Sequence, residues 1–317
     1  MPTVTEQIAR WVSDLTFEQL TFEAIDSAKR RLYDSLGCAL SGYQSRDVKA
    51  YLRHAQELGG AGVCTIIAAG TQSNPLIATL ANAMMICTGD SGDAHRRQDQ
   101  SHSSDLIAAA ISLGERDHRS GRDLITAIVL GCEIEMRLSE FASSALEERG
   151  WHRASLTACA APMVAGWMLG LSWQQMQHAI GISACHHFTL GAAAAGEPTS
   201  MSNLAGPMAV RSGVEAAMLA QLGYTGPGGA LDGPEGTPHP LGPKLKPNAL
   251  VDGLGQDFRI SRCSLKSRPI EELDTRFNAS AEPVMTRRRR EELRSAIFAL
   301  EKLEDCAKLM ALTVSDR

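Results

Sequence analysis

The densest group of titratable side chains lies in one short segment between two apolar, helix-like runs. Residues 92–105 read GDAHRRQDQSHSSD, with two histidines, three aspartates and two arginines. Imidazoles and carboxylates are the usual acid and base groups of enzymes, and arginines bind anions through charge-assisted hydrogen bonds. The segment therefore predicts either an acid/base site for an acidic small molecule or a solvated loop.

Two more histidine clusters border predicted helices. Gly150-Trp151-His152 comes just before one helical run, and Cys185-His186-His187 ends another. A histidine beside an apolar run can act as an acid or base, or it can only make a structural hydrogen bond, and both interpretations stay open here. Neighbouring residues of a helix point in different directions, so we expect at most one of His186 and His187 to face a given pocket.

A metal site is a weaker interpretation of the first segment. His95 and His102 are seven residues apart, with Asp90, Asp93 and Asp99 nearby, and sets of carboxylates and imidazoles can hold a divalent ion. The sequence contains neither an HExxH motif nor the spacing of an EF-hand. We therefore predict no metal.

Composition and charge describe a globular protein with a helical bias. Of the 317 residues, 44% are hydrophobic, 21% are charged and only 5% are aromatic, while alanine and glycine are abundant. This balance suits closely packed helices better than sheets, in which β-branched and aromatic residues dominate. The net charge of -5 provides no basic surface for nucleic acid, which we exclude as a partner.

Cysteine usage and the N-terminal segment bear on the compartment. The eight cysteines occur singly and without CxxC spacing, so we predict reduced thiols and no disulfide or zinc framework. Glu6 and Asp14 are atypical of a transit peptide. No apolar run reaches membrane-spanning length. We predict a soluble, cytoplasmic protein with no membrane partner.

Helical periodicity dominates the chain, and capping residues mark several starts. Thr21 is predicted to cap a helix that Gly42 ends, and Ser120 is predicted to open another. Residues 61–69 form the one predicted strand, and the Gly/Pro-rich residues 223–256 form a long loop. The remaining predicted helices cover residues 75–88, 104–116, 123–141, 155–169, 172–185, 207–222 and 286–312.

Six motifs follow one another in a fixed order along the chain. They are Asn82-Ala83, Asp90-Ser91-Gly92-Asp93, His102-Ser103-Ser104-Asp105, GCEIEMRL at 131–138, Gly150-Trp151-His152 and SGVEAAMLAQLGYTGP at 212–227. In this order and spacing they resemble the MmgE/PrpD family, which includes 2-methylcitrate dehydratases and cis-aconitate decarboxylases. The resemblance runs from the N-terminus to about residue 269 and from there to about residue 310.

The resemblance implies a mainly α fold, with a large all-helical domain and a smaller α/β lid from which the chain returns to the helical domain. Residues 1–259 correspond to the helical domain, 260–269 to a remnant of the lid and 270–317 to the return. Most of the lid is therefore expected to be missing. The family's lysine before the SG-x-x-AA helix is also replaced, because Ser202 and Asn203 stand near that position.

The resemblance further implies a di- or tricarboxylate substrate and a homodimer. Removing water or CO₂ from such an acid requires proton transfer and donors that hold carboxylates, which side chains can supply without a cofactor. His102 is then the leading acid/base residue, Asp90 its partner, and His152 a proton donor or carboxylate binder. The expected substrate-binding residues are Lys266, Asp93, His95 and Arg97.

Three functions stay open at this point. The first is a lyase of the family, the second is an isomerase or epimerase on the same scaffold, and the third is a catalytically inactive helical dimer. Release of water or CO₂ identifies the first. Exchange of a substrate proton without net loss identifies the second, and inactivity in both assays identifies the third.

Overall fold

The computed structural model describes residues 2–90, 103–197, 199–262 and 268–317, and these residues form mainly α-helices, as predicted. A small antiparallel sheet pairs β1 (Cys64–Thr65) with β2 (Gln72–Ser73). The described helices are α1 (Val4–Asp14), α2 (Phe22–Gly42), α3 (Arg46–Leu58), α4 (Pro75–Asp90), α5 (Ile107–Arg116), α6 (Gly121–Ala142), α7 (Ala145–Glu148), α8 (Ala154–Met168), α9 (Trp173–His186), α10 (Ala205–Gln221), α11 (Pro238–Leu241), α12 (Ile270–Ala281), α13 (Arg287–Phe298) and α14 (Cys306–Leu312).

Side-chain caps start several helices at the predicted residues. The Thr21 hydroxyl accepts a hydrogen bond from the Ala24 N–H (3.2 Å) in the first turn of α2. Ser120 and Asp123 form a reciprocal capping box at the start of α6. Such caps satisfy backbone N–H groups that have no partner within the helix. The predicted starts of these two helices are confirmed.

The prediction of one final helix over residues 286–312 is wrong. The chain forms α13 and α14 there, separated by a 3₁₀ turn (Leu300–Lys302). The break has a tertiary cause, because the Leu303 carbonyl accepts a hydrogen bond from the N–H of Gly121 (2.7 Å) at the start of α6. The Asp305 carboxylate then caps α14 by accepting a hydrogen bond from the N–H of Ala307 (2.8 Å).

The strand predicted at residues 61–69 is reduced to the two residues of β1. Buried side chains satisfy several of its backbone groups: Asn82 Nδ2 donates to the Thr65 carbonyl, and Ile67 N–H donates to Asn82 Oδ1, both at 3.0 Å. The N–H and hydroxyl of Thr65 donate to the Glu115 carboxylate at 2.5 and 2.6 Å. Buried backbone groups need such partners. In this chain Asn82 therefore has a structural role.

The Glu133 carboxylate is fully buried in α6 and connects separate parts of the chain. Its Oε1 accepts hydrogen bonds from Arg137 Nε (2.6 Å) and Arg259 Nη1 (2.9 Å), and its Oε2 accepts one from the backbone N–H of Arg259 (2.7 Å). Arg137 also donates to the carbonyls of Ala249 (3.0 Å) and Asp252 (2.8 Å) in the Gly/Pro-rich segment. The GCEIEMRL motif thus attaches that segment to α6.

α8 and α10 pack closely through small residues. A Cβ at Gly213 would collide with Ala161 and the backbone of Pro162, and Ala154 and Ala205 belong to one buried cluster between the two helices. The absence of large side chains at a helix contact allows the axes to approach. The alanines of α8 are thus covered within one chain, and the homodimer stays a prediction based on the family resemblance.

The C-terminal residues pack against helices from the beginning of the chain. Phe277 of α12 stacks on Tyr33 of α2 with ring centroids 4.2 Å apart. The Tyr33 hydroxyl donates to Asp274 (3.0 Å), which also accepts hydrogen bonds from Arg294 of α13 (2.6 Å to Nε). Residues 270–317 therefore contribute to the same core as α2, whereas the division into three segments stays a prediction.

Two findings concern covalent links and membranes. The cysteines of the described part are free thiols, and most of them are buried. None of the described helices is both long enough and apolar enough to cross a lipid bilayer.

Replacing Glu133 with glutamine tests the importance of the buried ion pair. Glu133→Gln leaves the buried Arg137 guanidinium without its counter-charge, so we expect the free energy of unfolding to fall by about 3–5 kcal/mol in urea titrations. Arg287→Ala, which removes an exposed pair with Glu291, should cost less than about 1 kcal/mol. A Glu133→Gln variant as stable as the Arg287→Ala variant would contradict this role.

Candidate active site

Most of the predicted site residues lie outside the part of the chain that the structure describes. These are Asp93, His95, Arg97, His102 and Lys266, so their positions stay predictions. Asp90 is the last residue of α4, but its side chain also lies outside the described part. His152 is the one predicted site residue whose side chain is described.

The Gly150-Trp151-His152 segment forms a tight turn against residues 188–191. Gly150 has φ +78°, a conformation that favours glycine, and its carbonyl accepts a hydrogen bond from the N–H of Gly191 (2.7 Å). The Trp151 ring packs edge-on against Phe188, with ring centroids 5.2 Å apart. The N–H of His152 donates to the Thr189 carbonyl (2.8 Å). These contacts therefore fix the backbone of residues 150–152 against residues 188–191.

The first turn of α8 determines which nitrogen of His152 carries the proton. The N–H of Ala154, the first residue of α8, donates to His152 Nδ1 (3.2 Å). Nδ1 must accept this hydrogen bond, so the proton of the neutral imidazole is on Nε2. Burial and the nearby Arg153 lower the pKa of His152. At neutral pH His152 is thus an uncharged N–H donor.

A cleft of about 430 Å³ lies next to this turn. Residues 186–190 form one wall, and Met201 and Met208 contribute from the turn before α10 and from α10 itself. Thr189 connects the cleft to His152, because its carbonyl accepts hydrogen bonds from the His152 N–H and from the Ser155 hydroxyl (3.3 Å). The volume is within the range of small-molecule sites.

The expectation that at most one of His186 and His187 faces a given pocket is wrong, since both line this cleft. The reason is that α9 ends at His186, and His187 adopts φ -133°, ψ 60°. The helical geometry behind the expectation therefore does not apply to this pair. Burial and then the neighbouring His186 lower the pKa of His187.

Two buried carboxyl groups near α8 and α10 were not given roles by the sequence. Asp105 is 2% exposed, and a Cβ at Gly206 would lie 2.5 Å from its Oδ2. Glu135 Oε1 accepts a hydrogen bond from the Thr157 hydroxyl (3.0 Å), while its Oε2 has no hydrogen-bond partner among the described residues. Burial, aided by the charge of Glu135, raises the pKa of Asp105 to about 8. Burial raises the pKa of Glu135 to about 7.

A sequence signal for Glu135 exists. Ile128, Cys132 and Glu135 recur at helical spacing within α6, so the carboxyl group lies on an otherwise apolar face. A carboxyl group on such a face must be paired or protonated, because an unpaired charge is costly to bury. Perturbed acids and bases concentrate at functional sites, although structural networks also contain them.

The structure thus defines a helical domain with a cleft of small-molecule size next to the Gly150-Trp151-His152 turn. The chain belongs to the MmgE/PrpD family, since the model of the family's N-terminal domain matches residues 6–247.

Curated relatives support the same assignment. Cis-aconitate decarboxylase of Aspergillus terreus is 26% identical over 294 residues, which cover 86% of this chain and 59% of that protein. The human cis-aconitate decarboxylase is 27% identical over 241 residues, or 73% of this chain and 49% of that protein. The chain thus spans between half and three-fifths of the length of these relatives.

Nitrogen NMR at neutral pH tests the tautomer of His152. We expect a protonated Nε2 and an unprotonated Nδ1, because Nδ1 accepts the hydrogen bond of Ala154. His118 is an internal control with the opposite requirement, since its Nδ1 lies 2.9 Å from the Asp305 carboxylate, which can only accept. A proton on Nδ1 of His152 would show that the cap at α8 is not formed.

The pH dependence of stability tests the buried Asp105. Its pKa is about 8 in the folded protein and about 4 when unfolded, so between these values the folded state holds a proton that the unfolded state has lost. Stability should therefore fall as pH rises through this window, by at most about 1.4 kcal/mol per pH unit from this group. Asp105→Asn should remove that contribution in urea titrations.

The exposed Asp14 provides the control for this experiment. Asp14→Asn should leave the slope of stability against pH unchanged. Equal slopes for Asp105→Asn and the unmodified protein would mean that Asp105 is ionised in the fold.

Proposed function

We propose that this protein is a lyase of the MmgE/PrpD type that releases CO₂ or water from a citrate- or aconitate-like acid. The observation that carries the proposal is the neutral, fixed His152 beside a cleft of small-molecule size. The relatives named cis-aconitate decarboxylase make decarboxylation the first reaction to assay.

Both reactions require proton transfer at a carbon next to a carboxylate. In decarboxylation the C–C bond breaks, CO₂ leaves, and the electron pair stays on the substrate carbon until an acid protonates it. In dehydration a base removes a C–H proton, the electron pair forms the double bond, and the hydroxyl group leaves with a proton as water. Acid/base groups typically contribute about 10²–10⁴-fold to such steps.

The proposed roles follow from this chemistry. His102 acts as the acid/base residue, and a nearby Asp90 carboxylate would raise its pKa towards the working range. His152 donates its Nε2–H to a substrate carboxylate oxygen where negative charge increases. Because this imidazole is neutral, the counter-charge for the substrate must come from other groups. The proposed binding residues are Lys266, Arg97, His95 and Asp93.

The proposal involves no cofactor, because side chains carry out every proton transfer in it. It includes a homodimer, as the family resemblance implies, and a cytoplasmic location, as the singly scattered cysteines predict. The lowered pKa of His152 and the raised pKa values of Asp105 and Glu135 support a site in which protons are transferred.

The decisive assay incubates the full chain with cis-aconitate and with citrate and measures CO₂ release and water loss. We expect turnover of at least one acid, and a decrease of about 10²–10⁴-fold in kcat for His102→Ala, because that variant lacks the acid/base group. Circular dichroism should show unchanged helical content.

His118→Ala is the matched histidine control for this assay. The His118 side chain is 71% exposed and pairs with Asp305. His118 follows the C-terminal end of α5, whereas Asp105 precedes the N-terminal end of that helix. It should retain full activity. Full activity of His102→Ala would exclude its assigned role, and proton exchange into the substrate without product would indicate an isomerase instead.

A further inference from the structure

Glu135 is a buried carboxyl group that the surrounding helices satisfy only in part. It is 2% exposed, its Oε1 accepts a hydrogen bond from the Thr157 hydroxyl (3.0 Å), and its Oε2 is buried without a hydrogen-bond partner among the described residues. A buried polar atom without a partner costs free energy, so an apolar side chain of similar size would be no less stable at this position. The stability of the fold therefore does not explain this carboxyl group.

The Thr157 hydroxyl bonds a neighbouring helix, although its own helix offers a partner. Hydroxyl groups inside helices often donate to the carbonyl four residues earlier. This pattern occurs at Thr126, Ser139, Thr275 and Ser295. The corresponding carbonyl for Thr157 is that of Arg153, which accepts a hydrogen bond from the Thr157 backbone N–H (3.3 Å). The Thr157 hydroxyl instead connects the first turn of α8 to α6.

The same turn of α8 holds His152. The Ala154 N–H donates to His152 Nδ1 (3.2 Å), and the Ser155 N–H donates to the His152 carbonyl (3.0 Å). The turn and the imidazole are therefore one hydrogen-bonded unit. A contact that moves the turn also moves the Nε2–H of His152.

Arg153 influences both the carboxyl group and the imidazole. Burial raises the pKa of Glu135 to about 7, against the opposing effects of the Thr157 hydrogen bond and of the Arg153 charge. Burial and then Arg153 lower the pKa of His152. One guanidinium group is thus within electrostatic range of both side chains, so Glu135 and His152 belong to one cluster around the start of α8.

We propose that Glu135 is a positioning residue for His152: its hydrogen bond with Thr157 fixes the first turn of α8, and this turn aims the Nε2–H at the substrate. This inference rests on the proposed lyase function, in which His152 binds a substrate carboxylate, and it adds a residue that does not touch the substrate. A displacement of about 1 Å at a reaction site can cost about 10²-fold in rate, so one buried hydrogen bond is sufficient for such a role.

Glu135→Met and Glu135→Gln in the full chain separate positioning from stability. Methionine has a similar volume but no oxygen to accept the Thr157 hydrogen bond, whereas glutamine has one. For Glu135→Met we expect an unchanged or higher urea midpoint, a shifted His152 Nδ1 resonance in nitrogen NMR and a decrease of about 10²-fold in kcat with cis-aconitate. Glu135→Gln should retain the Nδ1 resonance and most of kcat.

Substitutions of Thr157 test the same hydrogen bond from the other side. Thr157→Val removes the hydroxyl group and should shift the Nδ1 resonance as Glu135→Met does, whereas Thr157→Ser keeps the hydroxyl group and should not. If both residues act through one hydrogen bond, the double variant should lose no more activity than either single variant. Thr126→Val is the matched control, because this buried hydroxyl donates within α6 to the Arg122 carbonyl (2.9 Å), and it should change neither readout.

The NMR readout does not depend on turnover, so it distinguishes this inference from the proposed function. Shifted Nδ1 resonances in Glu135→Met and Thr157→Val, without turnover of any acid by the unmodified protein, would support the positioning of His152 and overturn the lyase. Turnover with unchanged resonances and unchanged kcat in both variants would support the lyase and overturn the positioning role. A lower urea midpoint of Glu135→Met with an unchanged resonance would show that the carboxyl group only stabilises the fold, and the proposal would fail.

Discussion

Close contact between α8 and α10 is the constraint on which the candidate site depends. Gly213 faces Ala161, and at the other end of the contact Gly206 lies against the Asp105 carboxyl group. A larger side chain at either glycine would push α10 away from its neighbours. The N-terminal ends of both helices meet at this place, and the cleft forms between α10 and the chain that follows α9.

Burial raises the pKa values of the carboxyl groups around this contact and lowers those of the imidazoles, and in both cases it favours the neutral form. It raises the pKa of Asp105 to about 8 and that of Glu135 to about 7, and it lowers the pKa values of His152 and His187. Asp105, His152 and His187 therefore favour their neutral forms near pH 7, whereas Glu135 is close to the midpoint of its titration. Such a region can donate and accept protons.

The two acidic positions of GCEIEMRL illustrate how similar residues acquire different roles. Glu133 lies between two guanidinium groups and attaches the Gly/Pro-rich segment to α6. Glu135 lies two residues further along α6, on another face of the helix. Its Oε1 accepts a hydrogen bond from the Thr157 hydroxyl, and its Oε2 has no hydrogen-bond partner among the described residues. The difference arises from what packs against each face of α6, because burial is most costly for a carboxylate that no cation accompanies.

The sequence by itself determined the helical class, the caps at Thr21 and Ser120 and the family, because periodicity, capping and short motifs are local properties. Only the tertiary structure decided the rest. The final helix breaks because the Leu303 carbonyl binds Gly121, and both His186 and His187 line the cleft because α9 ends between them. The pKa values of Asp105 and Glu135 are raised because helices distant in sequence bury these carboxyl groups. Such burial depends on the packing of the whole molecule, and no local sequence pattern predicts it.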